Sequence, residues 1–424
     1  MGTVLFISLL ILLVVNVPIA VALGLSVVIA FVIEGNMPLL VVIQKMFNGT
    51  DSFPLMAVPF FLLAGRLMES GGISARLIHF ANTLVGRMPG GLAVVSIMSC
   101  TFFAAISGSS AATTAAVGGL LIPHMVKKGY DVRFSAALQA TGGTIGVMIP
   151  PSVPMVLYGV AASTSINDLF IAGIGPGILV AISLILYAIW VSKKNGWGGG
   201  EKHTFADFCK AFKDAILALL MPVIILGGIY GGIFTSTEAA VVAVVYGLAV
   251  GIFVYKEIKW KDLGEIFASS ASMTAVIMFI IATANAFGFL MTRENIPQEI
   301  AQFMLTITEN PIITLLLINI LLLILGTFME TAVTIILLTP ILLPIILALG
   351  IDPVLFGVIM VVNSAIGMLT PPVGLNLLVA GNIAKLKNEE IEKAVIPFLI
   401  LMIVDLMLIT YVPEISLFLV ELGK

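Results

Sequence analysis

Four short stretches of this 424-residue chain combine glycine, proline and hydroxyl side chains within apolar surroundings, and they fall into two matched sets. The first set pairs the segment from Ser107-Gly108-Ser109-Ser110 to Thr113 with Thr141-Gly142-Gly143-Thr144-Ile145-Gly146-Val147-Met148-Ile149-Pro150-Pro151-Ser152. The second pairs Gly326-Thr327-Phe328-Met329-Glu330-Thr331 with Asn363-Ser364-Ala365-Ile366-Gly367-Met368-Leu369-Thr370-Pro371-Pro372. Glycine lets a backbone leave a helix, and proline withholds an amide donor and frees a carbonyl one turn back. Carbonyls and hydroxyls gathered this way suit a hard monovalent cation. For a single motif, tight helix packing or a kink is the simpler account. Recurrence of both motifs as matched pairs favours a site.

Few charged groups compete for a role beside them. Glu330 is the only charged residue between Glu309 and Asp352, and an acid at bilayer depth costs roughly 2.5 to 3.5 kcal/mol on insertion scales. It is expected to face a cavity at the second turn, balancing a cation or holding a neighbouring helix. Glu238 follows Thr235-Ser236-Thr237, so a capping box with Thr235 explains it more simply. Asp405, in the last apolar stretch, is expected to bond a neighbouring helix or a partner subunit. Arg293 could meet a substrate carboxylate, or snorkel to the interface. His124, beside Pro123, reads as an interfacial anchor. Cys100 and Cys209 have neither a pairing nor a metal spacing. No Gly-x-x-x-x-Gly-Lys loop is present to use a nucleotide, so a gradient must drive any transport.

The elements that hold these residues follow from composition. The chain is 60% apolar and 10% charged, with a mean hydropathy of +1.18, against about 25% charged residues in a soluble domain. Its solvent is therefore lipid, and runs of 15 to 25 apolar residues match helices crossing ~30 Å of hydrocarbon. The first run, Val4 to Val15, lacks a basic leader and a cleavage site and reads as a retained span. Apolar segments run roughly 1 to 16, 18 to 33, 54 to 65, 90 to 125, 133 to 163, 169 to 191, 215 to 235, 239 to 255, 272 to 291, 311 to 349, 354 to 384 and 394 to 418. Those at 90 to 125 and 311 to 349 are too long for one crossing and must fold back, at Ser107 to Ser110 and at Gly326 to Thr331.

A shift of 221 residues aligns Pro123 with Pro344, Gly129 with Gly350, Asp131 with Asp352, Ile145-Gly146 with Ile366-Gly367, Pro150-Pro151 with Pro371-Pro372 and Pro176 with Pro397. The fold expected is an all-α polytopic membrane protein of two repeats, each with five spans and one re-entrant helical hairpin. An odd number of crossings per repeat inverts the second copy. Residues 1–192 form the first repeat and 214–424 the second, with 193–213 a flexible cytoplasmic linker. Alternate loops then collect 17 of 20 basic residues, among them Arg66, Arg76, Arg87, Lys127, Arg133, Lys202 and Lys393. Lys45, Arg293 and Lys424 remain opposite, which places both termini in the periplasm if this is a bacterial inner membrane. Polar segments Leu67 to Met88 and Thr292 to Asn310 carry Ile73, Leu77, Phe80, Leu84 and Ile296, Ile300, Phe303, Ile307 at helical spacing, as interfacial amphipathic helices would.

With these motifs in place, the chain resembles the large membrane subunit, DctM-like, of tripartite ATP-independent periplasmic (TRAP) transporters over essentially all its length. Phe234-Thr235-Ser236-Thr237-Glu238-Ala239-Ala240 is similar to that family's Phe-Thr-Pro-Thr-Glu-Ala-Ala signature, with Ser236 in place of proline. Gly146 to Pro151, Leu369 to Gly374 and Ser107-Gly108-Ser109-Ser110-Ala111 also resemble its motifs. The resemblance implies an ion-transporter-superfamily elevator fold in a bacterial inner membrane, with Na+ as the transported coupling ion and no organic cofactor. It implies a small four-helix membrane subunit, not fused here, and a periplasmic substrate-binding protein as partners. Substrates would be small organic acids, including sialic acids and dicarboxylates.

Carried over by residue, Ser107, Ser109 and Ser152 are substrate contacts, with Thr144, Arg293 and Asn376 added to them. Gly108, Ser110, Gly142, Glu330 and Thr370 belong to ion sites, to which Ser107, Thr113, Thr144, Gly326, Thr331, Asn363 and Gly367 are added. Two alternatives stay open. A stand-alone sodium/carboxylate symporter of similar fold needs no binding protein, and an intramembrane hydrolase would use Ser109 or Ser110 as nucleophile with His124 as base.

Overall fold

A computed structural model describes residues 1–34, 38–86, 88–197, 204–308 and 310–423, apart from the side chains of Leu305 and Ile307. Arg87, Gly198 to Gly200, Lys202, His203, Glu309 and Lys424, and the side chain of Ile307, lie outside the described residues. Lipid offers no partner to backbone amides and carbonyls, so each apolar stretch satisfies its own hydrogen bonds as helix. Among the described residues there is no strand.

The first half runs α1 (Gly2–Val14), α2 (Ile19–Glu34), α3 (Leu40–Thr50), α4 (Ala57–Ser70) and α5 (Ile73–Val85). It continues through hairpin arms α6 (Gly91–Ser107) and α7 (Ser110–Lys127), a broken helix α8 (Val132–Thr144) and α9 (Val153–Ala161), and α10 (Ile166–Lys194). The second runs α11 (Phe205–Tyr230), α12 (Ser236–Ala249), α13 (Leu263–Arg293) and α14 (Ile296–Ile307). Its hairpin arms are α15 (Pro311–Gly326) and α16 (Thr331–Ala348), its broken helix is α17 (Pro353–Gly367) and α18 (Leu375–Ala384), and α19 (Asn388–Tyr411) and α20 (Glu414–Leu422) close the chain.

Helix bounds repeat at the 221-residue shift. α16 spans 331–348 and α7 spans 110–127, while α14, α15, α17, α18 and α19 start within two residues of the shifted starts of α5, α6, α8, α9 and α10. The local causes repeat too. Asp131 caps α8 by accepting from the amides of Arg133 at 2.8 Å and Phe134 at 3.0 Å. Asp352 caps α17 by accepting from Val354 at 2.6 Å and Leu355 at 3.3 Å. Such caps satisfy amides that a helix start leaves free. Gly129 and Gly350 end α7 and α16 at φ +88° and +68°, a left-handed turn that glycine tolerates. The Pro150-Pro151 and Pro371-Pro372 bonds are both cis.

Two contacts give the direction of the second copy. Arg133, at the start of α8, meets Glu390 at the start of α19, at 2.7 Å. The Tyr158 hydroxyl, late in α9, donates to the Pro353 carbonyl at the start of α17, at 2.7 Å. One broken helix therefore begins where the other ends, and the two run antiparallel. Helices α1 to α4 and α11 to α13 pack among themselves, while α6 to α10 and α15 to α19 form a second group; α5 lies against both α11 and α6.

Several expectations are corrected. Helix α3 has no counterpart among the apolar segments expected, and the last segment is two helices, divided at Val412 and Pro413. Helix occupies 205–213 of the stretch read as a linker, because Thr204 and Asp207 form a capping box, and Cys209 lies on that helix rather than in a loop. The two hairpins also differ: α6 lies along α7, whereas α15 packs chiefly on α17 and meets α16 little.

Candidate functional site

Hydroxyl bonds shape the first hairpin tip. Gly108 turns left-handed at φ +59° after α6, and a Cβ there would stand 2.8 Å from the Pro151 carbonyl oxygen, so a side chain is excluded. Its own carbonyl accepts from the Val153 amide at 3.4 Å, which ties the tip to the first break. Ser109 caps α7 by accepting from the Ala112 amide at 3.4 Å. Thr113 donates to the Ser109 carbonyl at 2.8 Å, and its Oγ1 lies 2.7 Å from Ser107 Oγ. Ser152 caps α9, accepting from Met155 at 3.4 Å and donating to the Val147 carbonyl at 2.6 Å.

The second tip is held by backbone contact. A Cβ on Gly367 would come within 2.6 Å of the Gly326 backbone, so α15 and α17 touch main chain to main chain. Glu330 stands at the N-cap of α16 without making a cap bond, leaving its carboxylate free to act on something else. Thr331 donates to Met368 Sδ at 3.2 Å and Thr370 to the Ile366 carbonyl at 2.9 Å.

Both tips and both breaks meet at one cavity of about 100 Å³. Its lining includes Ser110, Val153, Thr331 and Leu375, the first residues of α7, α9, α16 and α18. Four helix N-termini thus point their partial positive ends, each about half an elementary charge, at one volume. Glu330 is the only charged residue in the lining. Leu62 of α4 and Met273 and Ile277 of α13 supply an apolar wall from the other helix group. Such a cavity holds an anion only if something besides side chains offsets Glu330.

Of the residues singled out by sequence, Gly108, Ser109, Ser110, Glu330 and Thr331 line this cavity. Ser107 and Thr113 lie under the first tip, Gly326 and Gly367 form the contact behind the second, and Thr370 closes its own helix turn. Asn376 is fully buried and donates to Ser110 Oγ at 2.6 Å. Others are placed elsewhere. Gly142 packs on Ile97 and Cys100, Thr144 bonds the Thr141 carbonyl, and Ser152 is spent on the loop beneath α9. Asn363 donates to the carbonyl and the side chain of Asn319, at 3.0 and 2.9 Å. Arg293 ends α13 and lines no part of the cavity.

Asp405 and Glu238 behave as the simpler readings expected. Asp405 accepts from Ser183 Oγ of α10 at 2.5 Å, and Glu238 completes its capping box with Thr235. His124 lies fourteen positions beyond Ser110 on the same helix, ~21 Å at 1.5 Å per residue, which removes the hydrolase reading. Sequence reasoning missed Asn319, whose polar amide inside an otherwise apolar helix was the signal that could have found it, and the wall residues, whose types are ordinary in a membrane helix.

The chain matches the family described as Tripartite ATP-independent periplasmic transporter, DctM component, over residues 6–415. It is 50% identical over 407 residues to the isethionate TRAP transporter permease protein DctMQ of Oleidesulfovibrio alaskensis, covering 96% of this chain and 64% of that protein. It is 41% identical to the C4-dicarboxylate TRAP transporter large permease protein DctM of Rhodobacter capsulatus, over 94% of each. With the sialic acid TRAP transporter large permease protein SiaM of Vibrio cholerae it shares 42% identity over 89% of each. The solved YdaH transporter of Alcanivorax borkumensis has the same fold, with a TM-score of 0.66 at 14% identity over 88% of this chain and 86% of that one. The chain belongs to the DctM component family of tripartite ATP-independent periplasmic transporters.

Proposed function

We propose that, as a DctM component, the chain carries a small carboxylate or sulfonate into the cell together with sodium ions, in a complex with a small membrane subunit and a periplasmic binding protein. One observation carries this reading: four helix N-termini converge on a cavity whose only charged side chain is Glu330. An anionic substrate beside that carboxylate puts at least two negative charges where no side-chain cation answers them. The N-terminal partial charges offset part of this. Sodium ions held by tip carbonyls and by Ser107, Ser110 and Thr113 hydroxyls on one side, and near Gly326, Thr331 and Thr370 on the other, supply the rest.

The cavity volume of about 100 Å³ equals about three waters at ~30 Å³ each. It suits an anion of two to four carbons, such as isethionate or a C4-dicarboxylate, and a sialic acid would need it to open. The group carrying tips and breaks moves past the group formed by α1 to α4 and α11 to α13, as in an elevator. The face bearing Lys45 and Arg293 is periplasmic, as are both termini, and the basic face is cytoplasmic.

Reconstitution with both partners tests the reading. Uptake of labelled isethionate, succinate and sialic acid is measured with and without an inward sodium gradient. At least one of the two smaller anions is expected to accumulate only with the gradient. Equal uptake without sodium overturns the coupling, and uptake without the binding protein selects a stand-alone symporter.

A further inference from the structure

We infer that a second cavity, between α3, α9, α13 and α16, is an outer anion subsite in which Lys45 holds the carboxylate or sulfonate of a substrate travelling to or from the central cavity. The inference rests on the functional reading above for its direction of traffic, though not for its chemistry. The cavity is about 390 Å³ and takes polar lining from Lys45, Asn285 and Thr292, a size and mixture usual for a small-molecule pocket. No acid lines it.

The Lys45 amine lies over the Phe289 ring, 4.2 Å from its centroid. A lysine that merely reached for water would extend past the ring, whereas this one is held at the cavity wall by the ring face. Among the described residues it makes no ion pair. Glu34 and Glu294 meet the Met1 amine rather than Lys45. A half-buried ammonium at the wall of an acid-free cavity gives that cavity a positive potential, which attracts an anion.

Helices α9, α13 and α16 line both cavities. Helix α9 lines the central one at Val153 and the outer one at Ala161, and α16 does so at Thr331 and at Pro340. These are offsets of eight and nine residues, ~12 to 14 Å along a helix. The central cavity has no side-chain cation and the outer one has no acid, so an anion is first drawn in by Lys45 and then exchanged onto the helix ends as sodium binds.

The test uses a cysteine reporter in the full chain in proteoliposomes. Ala161→Cys is made with Cys100 and Cys209 replaced by serine, and Val160→Cys serves as a second reporter. Each is reacted with sulfonatoethyl methanethiosulfonate, itself a small sulfonate, and with the trimethylammonium analogue, each rate being divided by that of a free thiol. With Lys45 present the sulfonate reacts faster than the cation. Lys45→Met is expected to lower the ratio at least fivefold, and Lys45→Arg to keep it. An unchanged ratio in Lys45→Met at both reporters overturns the subsite whether or not uptake is observed. In the uptake assay Lys45→Met is expected to raise KM for the anion and leave the sodium half-saturation in place. A reporter ratio that falls while uptake proves independent of sodium keeps the subsite and removes the coupling reading.

Discussion

Asn376, the second residue of α18, donates through Nδ2 to Ser110 Oγ at 2.6 Å and to the Ala140 carbonyl at 3.1 Å. One amide of the second repeat thereby fixes the first residue of α7 and the chain just ahead of the first break. Replacing it by leucine removes both bonds and leaves the buried Ser110 hydroxyl without this partner, at about 1 to 3 kcal/mol. Asn376→Leu is expected to raise the sodium concentration for half-maximal uptake about fivefold or more. Unaltered sodium dependence in a correctly inserted protein would separate Asn376 from the ion site.

Glu330 carries the charge that the cavity must offset. Glu330→Gln keeps its size and removes that charge, so uptake is expected to fall at least tenfold while the protein still elutes as a single species from gel filtration. Sodium-driven uptake at the wild-type rate would take Glu330 out of the mechanism.

At Gly367 the main chains of α15 and α17 touch, and a methyl group would stand 2.6 Å from the Gly326 backbone. Overpacking of this kind costs about 1 to 3 kcal/mol. Gly367→Ala is expected to lower the thermal midpoint in detergent and to reduce uptake, and Gly119→Ala, where a Cβ meets nothing, is expected to do neither. Equal midpoints for the two variants would contradict the contact.

Gly65 on α4 would place a Cβ 3.3 Å from the Ser107 carbonyl oxygen, where the first tip passes the opposite helix group. Gly65→Leu is expected to leave substrate binding in detergent measurable while uptake drops at least tenfold. Uptake within a factor of two of wild type would argue against relative movement at this surface.

A hydrogen bond from Arg133 holds the Glu390 carboxyl below its ordinary value of 4.5. A depressed folded pKa means that the contribution to stability is present above that ordinary value and is lost as pH falls through the folded one. Glu390→Gln is therefore expected to lower the melting midpoint near neutral pH, and the difference should close in acid well below 4.5. A difference that grows on acidification would be the wrong sign.

The hairpins and breaks were legible because glycine, proline and aspartate act locally. Gly129 and Gly350 end helices, Asp131 and Asp352 start them, and a repeat spacing needs no knowledge of packing. Helix α3 was not legible, since Gln44, Lys45 and Asn48 interrupt its apolar pattern and its burial depends on α13. Within the site, residue type predicted the tips better than the breaks. Thr144 and Ser152 have the chemistry of ligands, yet their hydroxyls turn to carbonyls in their own segments, a choice of rotamer that one sequence does not reveal. Lys45 is the converse case, an ordinary residue that only its position over the Phe289 ring of α13 brings into the proposed subsite.

Under the function proposed above, the wall formed by Leu62, Met273 and Ile277 would act as a toll gate that reads net charge. If the tips travel as proposed, whatever they hold must glide along hydrocarbon-like side chains, and a bare carboxylate at position 330 would resist leaving water for such a surface. On that reading a carrier loaded with the anion alone, or with neither cargo, would stay where it is, and only the neutralised assembly would cross. Leak would then be prevented by grease on the stationary side rather than by a dedicated latch on the moving one.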